Sequence, residues 1–272
     1  MTRDDAIDAL TLAGQTEEED AFPLLDAAIA CAIHDYPLRD PSPVRTLADR
    51  AVERLTERLT EMGPDDALSE ALSGDLRLNG DLMHDDDPAN TDVIAIAERR
   101  CGLSAALSVF YLDAARRAGL NCQGVDFPGH FLLRVDTPEG PVALDPFSQG
   151  RLVLPSELTQ RALRAGLMPH VADRLDLLMA PVSPRGALIR LQNLVFVRAI
   201  HARDYAAAER AALRCALLDP GDHRPWLDVA TARERQGALT GALQALDRAQ
   251  TLDDPMAARR QISFDRVRLQ LN

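Results

Sequence analysis

The sequence predicts an α+β protein, and three features carry that prediction. Helical patterning fills residues 4–80; one helix that is apolar nearly all round runs from Ser104 to Ala118; and short strands follow it at once, before helices resume at Pro184. A helix without a polar face belongs in the centre of a domain. Short apolar strands beside it, joined by turn residues, make an antiparallel sheet.

The clearest N-terminal helix is Thr46–Met62, where Leu47, Ala51, Leu55, Leu59 and Met62 form a stripe at helical spacing. Thr46 suits its N-cap and Pro64-Asp65-Asp66 its end. A polar loop over Asn79–Pro88 leads to a second short helix, Asp92–Arg99, with Thr91 as the expected cap. In the apolar helix, Arg116 and Arg117 complement the C-terminal dipole and Gly119 supplies the left-handed residue beyond it. The expected strands are Cys122–Phe127, His130–Val135 and Val142–Asp145, with Asp136–Gly140 as a hairpin loop.

From Pro184 the spacing follows the period of a tetratricopeptide repeat. Trp226, Gly237, Ala242, Ala249 and Pro255 fall at or beside the expected places, as do Ala208 and Pro220 one unit earlier. Small alanines there let paired helices approach closely, and two such units need a neighbour to bury their core. The expected division is therefore 1–180, with a core at about 81–160, and a helical tail over 184–272.

A net charge of −12 repels phosphate backbones and anionic lipid, so neither nucleic acid nor a membrane is an expected partner. No apolar run is long enough to span a bilayer, and the N-terminus lacks a secretory leader, which points to the cytoplasm. Cys31, Cys101, Cys122 and Cys215 are scattered and suit reduced thiols. No cofactor fingerprint is present, and His84 with Asp85, Asp86 and Asp87 reads as a solvated loop, leaving no expected metal site.

The chemistry concentrates on Ser104 at the head of the buried helix, His130 opening a strand and Asp145 ending the next. A helix N-terminus offers unpaired N–H groups and a positive field, which stabilise a thiolate or an oxyanion. A strand-borne histidine takes a proton there, and a carboxylate orients the imidazole.

Three segments carry a family resemblance: Asp87–Thr91, Glu98–Ser104 and Pro128–Arg134, followed by Leu144-Asp145-Pro146-Phe147 and Arg151-Leu152. They resemble the SirB-type transglutaminase-like proteins, a family that typically carries a tetratricopeptide tail; Leu191-Gln192-Asn193-Leu194 resembles the entry to it. The resemblance implies a papain-like fold with a nucleophile, His130 and Asp145 in that order. Counting back from Gly119 puts Ser104 where transglutaminases place cysteine.

Each candidate has a structural alternative. Serine is a preferred N-cap, and that reading of Ser104 ranks above nucleophile. His130 and Asp145 persist equally well as a buried polar pair, Cys101 as an incidental thiol, and Trp226 as a packing residue. The first expectation for function is a catalytically altered transglutaminase-like protein that binds a protein or peptide partner through its repeats. The rival is an acyl-transfer enzyme using Ser104, His130 and Asp145.

Overall fold

The computed structural model describes residues 1–84 and 86–252. In chain order the elements are α1 (Arg3–Gly14), α2 (Leu24–Asp35), α3 (Ser42–Arg58), α4 (Pro64–Ser69), β1 (Asn79–Gly80), α5 (Val93–Arg99), β2 (Cys101–Gly102) and α6 (Ser104–Arg117). Strands β3 (Cys122–Phe127), β4 (His130–Thr137), β5 (Gly140–Asp145) and β6 (Arg151–Val153) follow. Helices α7 (Pro155–Arg164), α8 (Pro169–Ala172), α9 (Leu175–Leu178), α10 (Pro184–Ala202), α11 (Tyr205–Leu218), α12 (Arg224–Arg235) and α13 (Leu239–Gln250) complete the fold.

These elements form two compact units, one of Glu18–Ala32 and Arg39–Arg190, the other of Met1–Glu17, Ile33–Leu38 and the described residues from Leu191 on. The sequence placed the division at 180–184 and the N-terminal helix with the sheet. In the structure the chain divides at Arg190, and α1 lies with the C-terminal helices.

In the sheet-bearing unit, β3–β4–β5–β6 is a four-stranded antiparallel meander. The chain turns from β4 to β5 through Pro138 and Glu139, with Thr137 paired to Gly140. Val125, Phe127, Leu132, Ala143 and Val153 share one face, which Leu158 and Ala162 of α7 and Ala172 of α8 cover. Side chains alternate along a strand, so Phe131, Leu133 and Val135 point to the other face, and α6 packs on β3 and β4. Twelve consecutive residues of α6, Ser104–Ala115, are buried. The all-round apolar pattern is thus explained: α3 covers this helix from outside with Val44, Leu47, Ala51 and Leu55.

Three caps differ from expectation. Helix α3 begins at Ser42, with Pro41 before it, so Thr46 lies inside. Asp92, not Thr91, caps α5, its carboxylate accepting from the N–H groups of Ile94 and Ala95 at 2.8 and 3.0 Å. A carboxylate competes better for two donors than a hydroxyl. At α6 the N-cap position is held by Leu103, and Ser104 is the first helical residue. Gly119 does adopt the left-handed conformation (φ 76°). The sequence reading missed β6 and the parallel two-residue pairing of β1 with β2, both too short for periodicity to register.

In the second unit, α11, α12 and α13 stack in sequence. Ala212, Val229, Ala230, Ala242, Ala245 and Leu246 form its core, with Trp226 packed against them. Helix α1 packs on α11 so closely that a Cβ built on Gly14 would lie 1.9 Å from the carbonyl oxygen of Leu217. Pro255 lies outside the described residues.

Candidate functional site

The start of α6 is fixed by the loop before it. Asp81 is 5% exposed and accepts from the N–H groups of Met83 and His84, each at 3.1 Å, and from Arg99 at 2.9 Å. Its own N–H donates to Gly102. Fully buried Asn90 donates to the His84 carbonyl at 2.6 Å, and its backbone carbonyl accepts from Leu103 N–H at 2.9 Å. The Asp87-Pro88-Ala89-Asn90 segment is therefore a brace that sets the first turn of α6. Asp85 lies outside the described residues, and among the described ones no three His, Cys, Asp or Glu side chains are grouped to hold a metal.

His130 opens β4 and Asp145 closes β5, and strand parity puts both on the α7 face of the sheet. His130 Nε2 lies 2.8 Å from Asp145 Oδ1. The ring of Phe147 meets the imidazole edge-on, with centroids 6.0 Å apart. Asp145 is fully buried, and its Oδ1 also accepts from the N–H groups of Phe147 and Ser148 at 3.1 and 3.3 Å. Its Oδ2 accepts from the Ser148 hydroxyl and from Arg161 Nη1, both at 2.9 Å. Burial opposes the charge, but the bonds from His130, Arg161 and Ser148 outweigh it and hold Asp145 well below the usual carboxylate range.

Arg161 also bonds Glu157 one turn back on α7, and Arg151 pairs with the same carboxylate. Hydrogen bonds from Arg151, against a smaller desolvation effect, bring Glu157 down to about 2. The result is a hydrogen-bonded chain, Arg151–Glu157–Arg161–Asp145–His130, binding β6 and α7 to the ends of β4 and β5.

Ser104 stands apart from this chain. Its hydroxyl accepts from the backbone N–H of Phe131 at 3.4 Å, and its carbonyl accepts from the Ser108 hydroxyl at 2.7 Å. No hydrogen bond joins Ser104 to His130 among the described residues, and His130 Nδ1 makes none. The N–H groups of Ser104 and Ala105, the first two of the helix, are bonded to no backbone carbonyl among the described residues. The structure thus joins His130 with Asp145 and leaves Ser104 one residue along the strand from the imidazole-bearing position.

Cys101 sits on β2, paired with Asn79, and is partly buried. Sequence reasoning did not single out Arg161 or Ser148 at all. Ser148 follows Asp145 by three residues, the spacing of a capping turn, and so was recoverable. Nothing in the sequence marks Arg161, whose helix lies over the sheet face only in three dimensions.

A helix braced at its N-terminus, with a His–Asp pair on adjacent antiparallel strands beside it, is the layout of a transglutaminase-like domain. The family model described as the transglutaminase-like superfamily matches residues 42–193, and this chain belongs to that superfamily. Among curated proteins it is similar to a UPF0162 protein of Xylella fastidiosa, with 33% identity over 246 residues, 86% of this chain and 85% of that one. A UPF0162 protein of Pseudomonas aeruginosa is 27% identical over 208 residues, 68% of this chain and 75% of the relative. F-box only protein 21 of Mus musculus shares 35% identity over 69 residues, a quarter of this chain and 11% of that protein. No solved structure matches. No described helix is long and apolar enough to cross a membrane.

Proposed function

We propose that this chain is a SirB-type transglutaminase-like protein that does not carry out acyl transfer, and that it acts in the cytoplasm as an interaction module through tetratricopeptide-like C-terminal helices. The observation that carries the reading is the hydrogen bonding of Ser104. Its oxygen is engaged by the Phe131 amide, and no bond hands its proton to His130. A serine hydroxyl without an adjacent base is a weak nucleophile at neutral pH. Asp145, with five donors around it, works as a structural tie in this reading, and His130 is one of the groups it holds. The partner is a protein or peptide segment, and stacked alanine-rich helices such as α11–α13 suit that role.

Two observations favour a second reading, an acyl hydrolase or transferase with Ser104 as nucleophile, His130 as base and Asp145 as orienter. His130 Nδ1 makes no hydrogen bond among the described residues, and two helix-start N–H groups stand beside Ser104 as oxyanion donors. Turnover separates the two. Hydrolysis of p-nitrophenyl acetate and amine transfer to a glutamine peptide are measured for wild type and Ser104→Ala. Equal, background rates are expected; turnover lost on Ser104→Ala would overturn the proposal.

A further inference from the structure

The sheet has an incompletely paired edge at β3. Asn121 accepts from Asp136 N–H on the β4 side at 3.0 Å, whereas Gly124 accepts from Val182 N–H on the other side at 2.8 Å. Backbone groups alternate in direction along an antiparallel strand, so Cys122 turns its N–H and C=O outward, as Gly124 does. Val182 makes one antiparallel bridge, to Gly124. Two residues later Pro184 opens α10, and proline has no N–H to continue the ladder. The outward groups of Cys122 consequently have no backbone partner among the described residues.

That bare edge forms part of the wall of a cavity of about 610 Å³ within the sheet-bearing unit. Phe22, Leu112, Leu120 and Val182 supply apolar lining, and Asp20 supplies a carboxylate at an exposed position. Asp20 makes no ion pair among the described residues, while the other lining carboxylates, Glu19 and Asp113, are paired with arginines. Burial pushes the Cys122 thiol up to about 12, so the sulfur is wall rather than nucleophile.

We infer that this edge and cavity bind an extended segment of a partner protein in which an apolar residue is flanked by arginine or lysine. An outward N–H and C=O on one residue match the C=O and N–H of an extended chain, as β-strand addition requires. Val182 occupies the neighbouring position in that way already. The apolar lining takes the alternate side chain, and Asp20 attracts the flanking cation. This surface lies on the transglutaminase-like unit and is independent of binding by the C-terminal helices.

The test uses the full chain labelled with 15N-cysteine and the peptide acetyl-Arg-Val-Arg-Val-Arg-amide. The Cys122 amide resonance is expected to shift on titration. Methylating the peptide's central backbone nitrogens is expected to weaken binding on the order of fivefold, through the lost hydrogen bond to the Cys122 carbonyl. Asp20→Arg, an exposed change, is expected to weaken it about threefold. A Cys122 resonance that stays fixed at millimolar peptide would overturn the inference, as would equal binding of the methylated and unmethylated peptides.

Discussion

The Ser104 hydroxyl accepts a hydrogen bond from the amide of Phe131, so helix α6 meets strand β4 one residue beyond His130. A transglutaminase-type site places its nucleophile against the histidine. Here the Ser104 side chain stitches helix to strand, and His130 Nε2 bonds Asp145. Several consequences are measurable.

Asp145→Ala removes the acceptor shared by His130, Ser148, Arg161 and two backbone amides. Arg161, with its side chain 18% exposed, is left with Glu157 alone. A loss of about 3–5 kcal/mol in unfolding free energy is expected, read by urea denaturation. Arg161→Met, which leaves His130 and the amides in place, is expected to cost less.

Asp145 also sets an acid limb. Its folded pKa lies below the unfolded value of about 3.9, so its contribution is complete above that value and disappears as pH falls toward the folded pKa. Melting temperature is therefore expected to drop below about pH 4. Asp145→Asn is expected to flatten that drop, while lowering stability at neutral pH.

His34 gives a second pH dependence of opposite origin. Burial, assisted by the charge of Arg214, lowers it to about 4. The unfolded imidazole binds its proton near pH 6.5, so the folded state loses stability as pH falls from about 6.5 to the folded pKa. His34→Gln is expected to remove the slope in that window, as followed by thermal denaturation at fixed ionic strength.

Gly14→Ala would place a Cβ 1.9 Å from the Leu217 carbonyl oxygen. Overpacking at a backbone contact costs about 1–3 kcal/mol. Calorimetry of the variant is expected to show a lower melting temperature, whereas Gly221→Ala, which has no atom nearer than 3.8 Å, is expected to change little.

Much of this was legible in the residues. The buried helix and β3 carried strong one-dimensional signals, and both lie where periodicity placed them. His130 and Asp145 stood out at the mouths of neighbouring strands, but whether they face one another was not readable from the residues. Three other things were not legible. Cap identity at α5 turned on a one-residue choice between Thr91 and Asp92, decided by charge. The placement of α1 with α11 depends on a backbone approach at Gly14 that has no local signature. The engagement of Ser104 depends on where β4 meets the first turn of α6, a relation between segments 27 residues apart.

The most direct measurement is intact-mass analysis after exposure to a fluorophosphonate probe, with wild type beside Ser104→Ala and His130→Ala. A serine bonded to the Phe131 amide and unassisted by His130 is expected to remain unlabelled in all three proteins. Stoichiometric labelling of wild type, abolished by both substitutions, would contradict this account and establish Ser104 as an activated nucleophile.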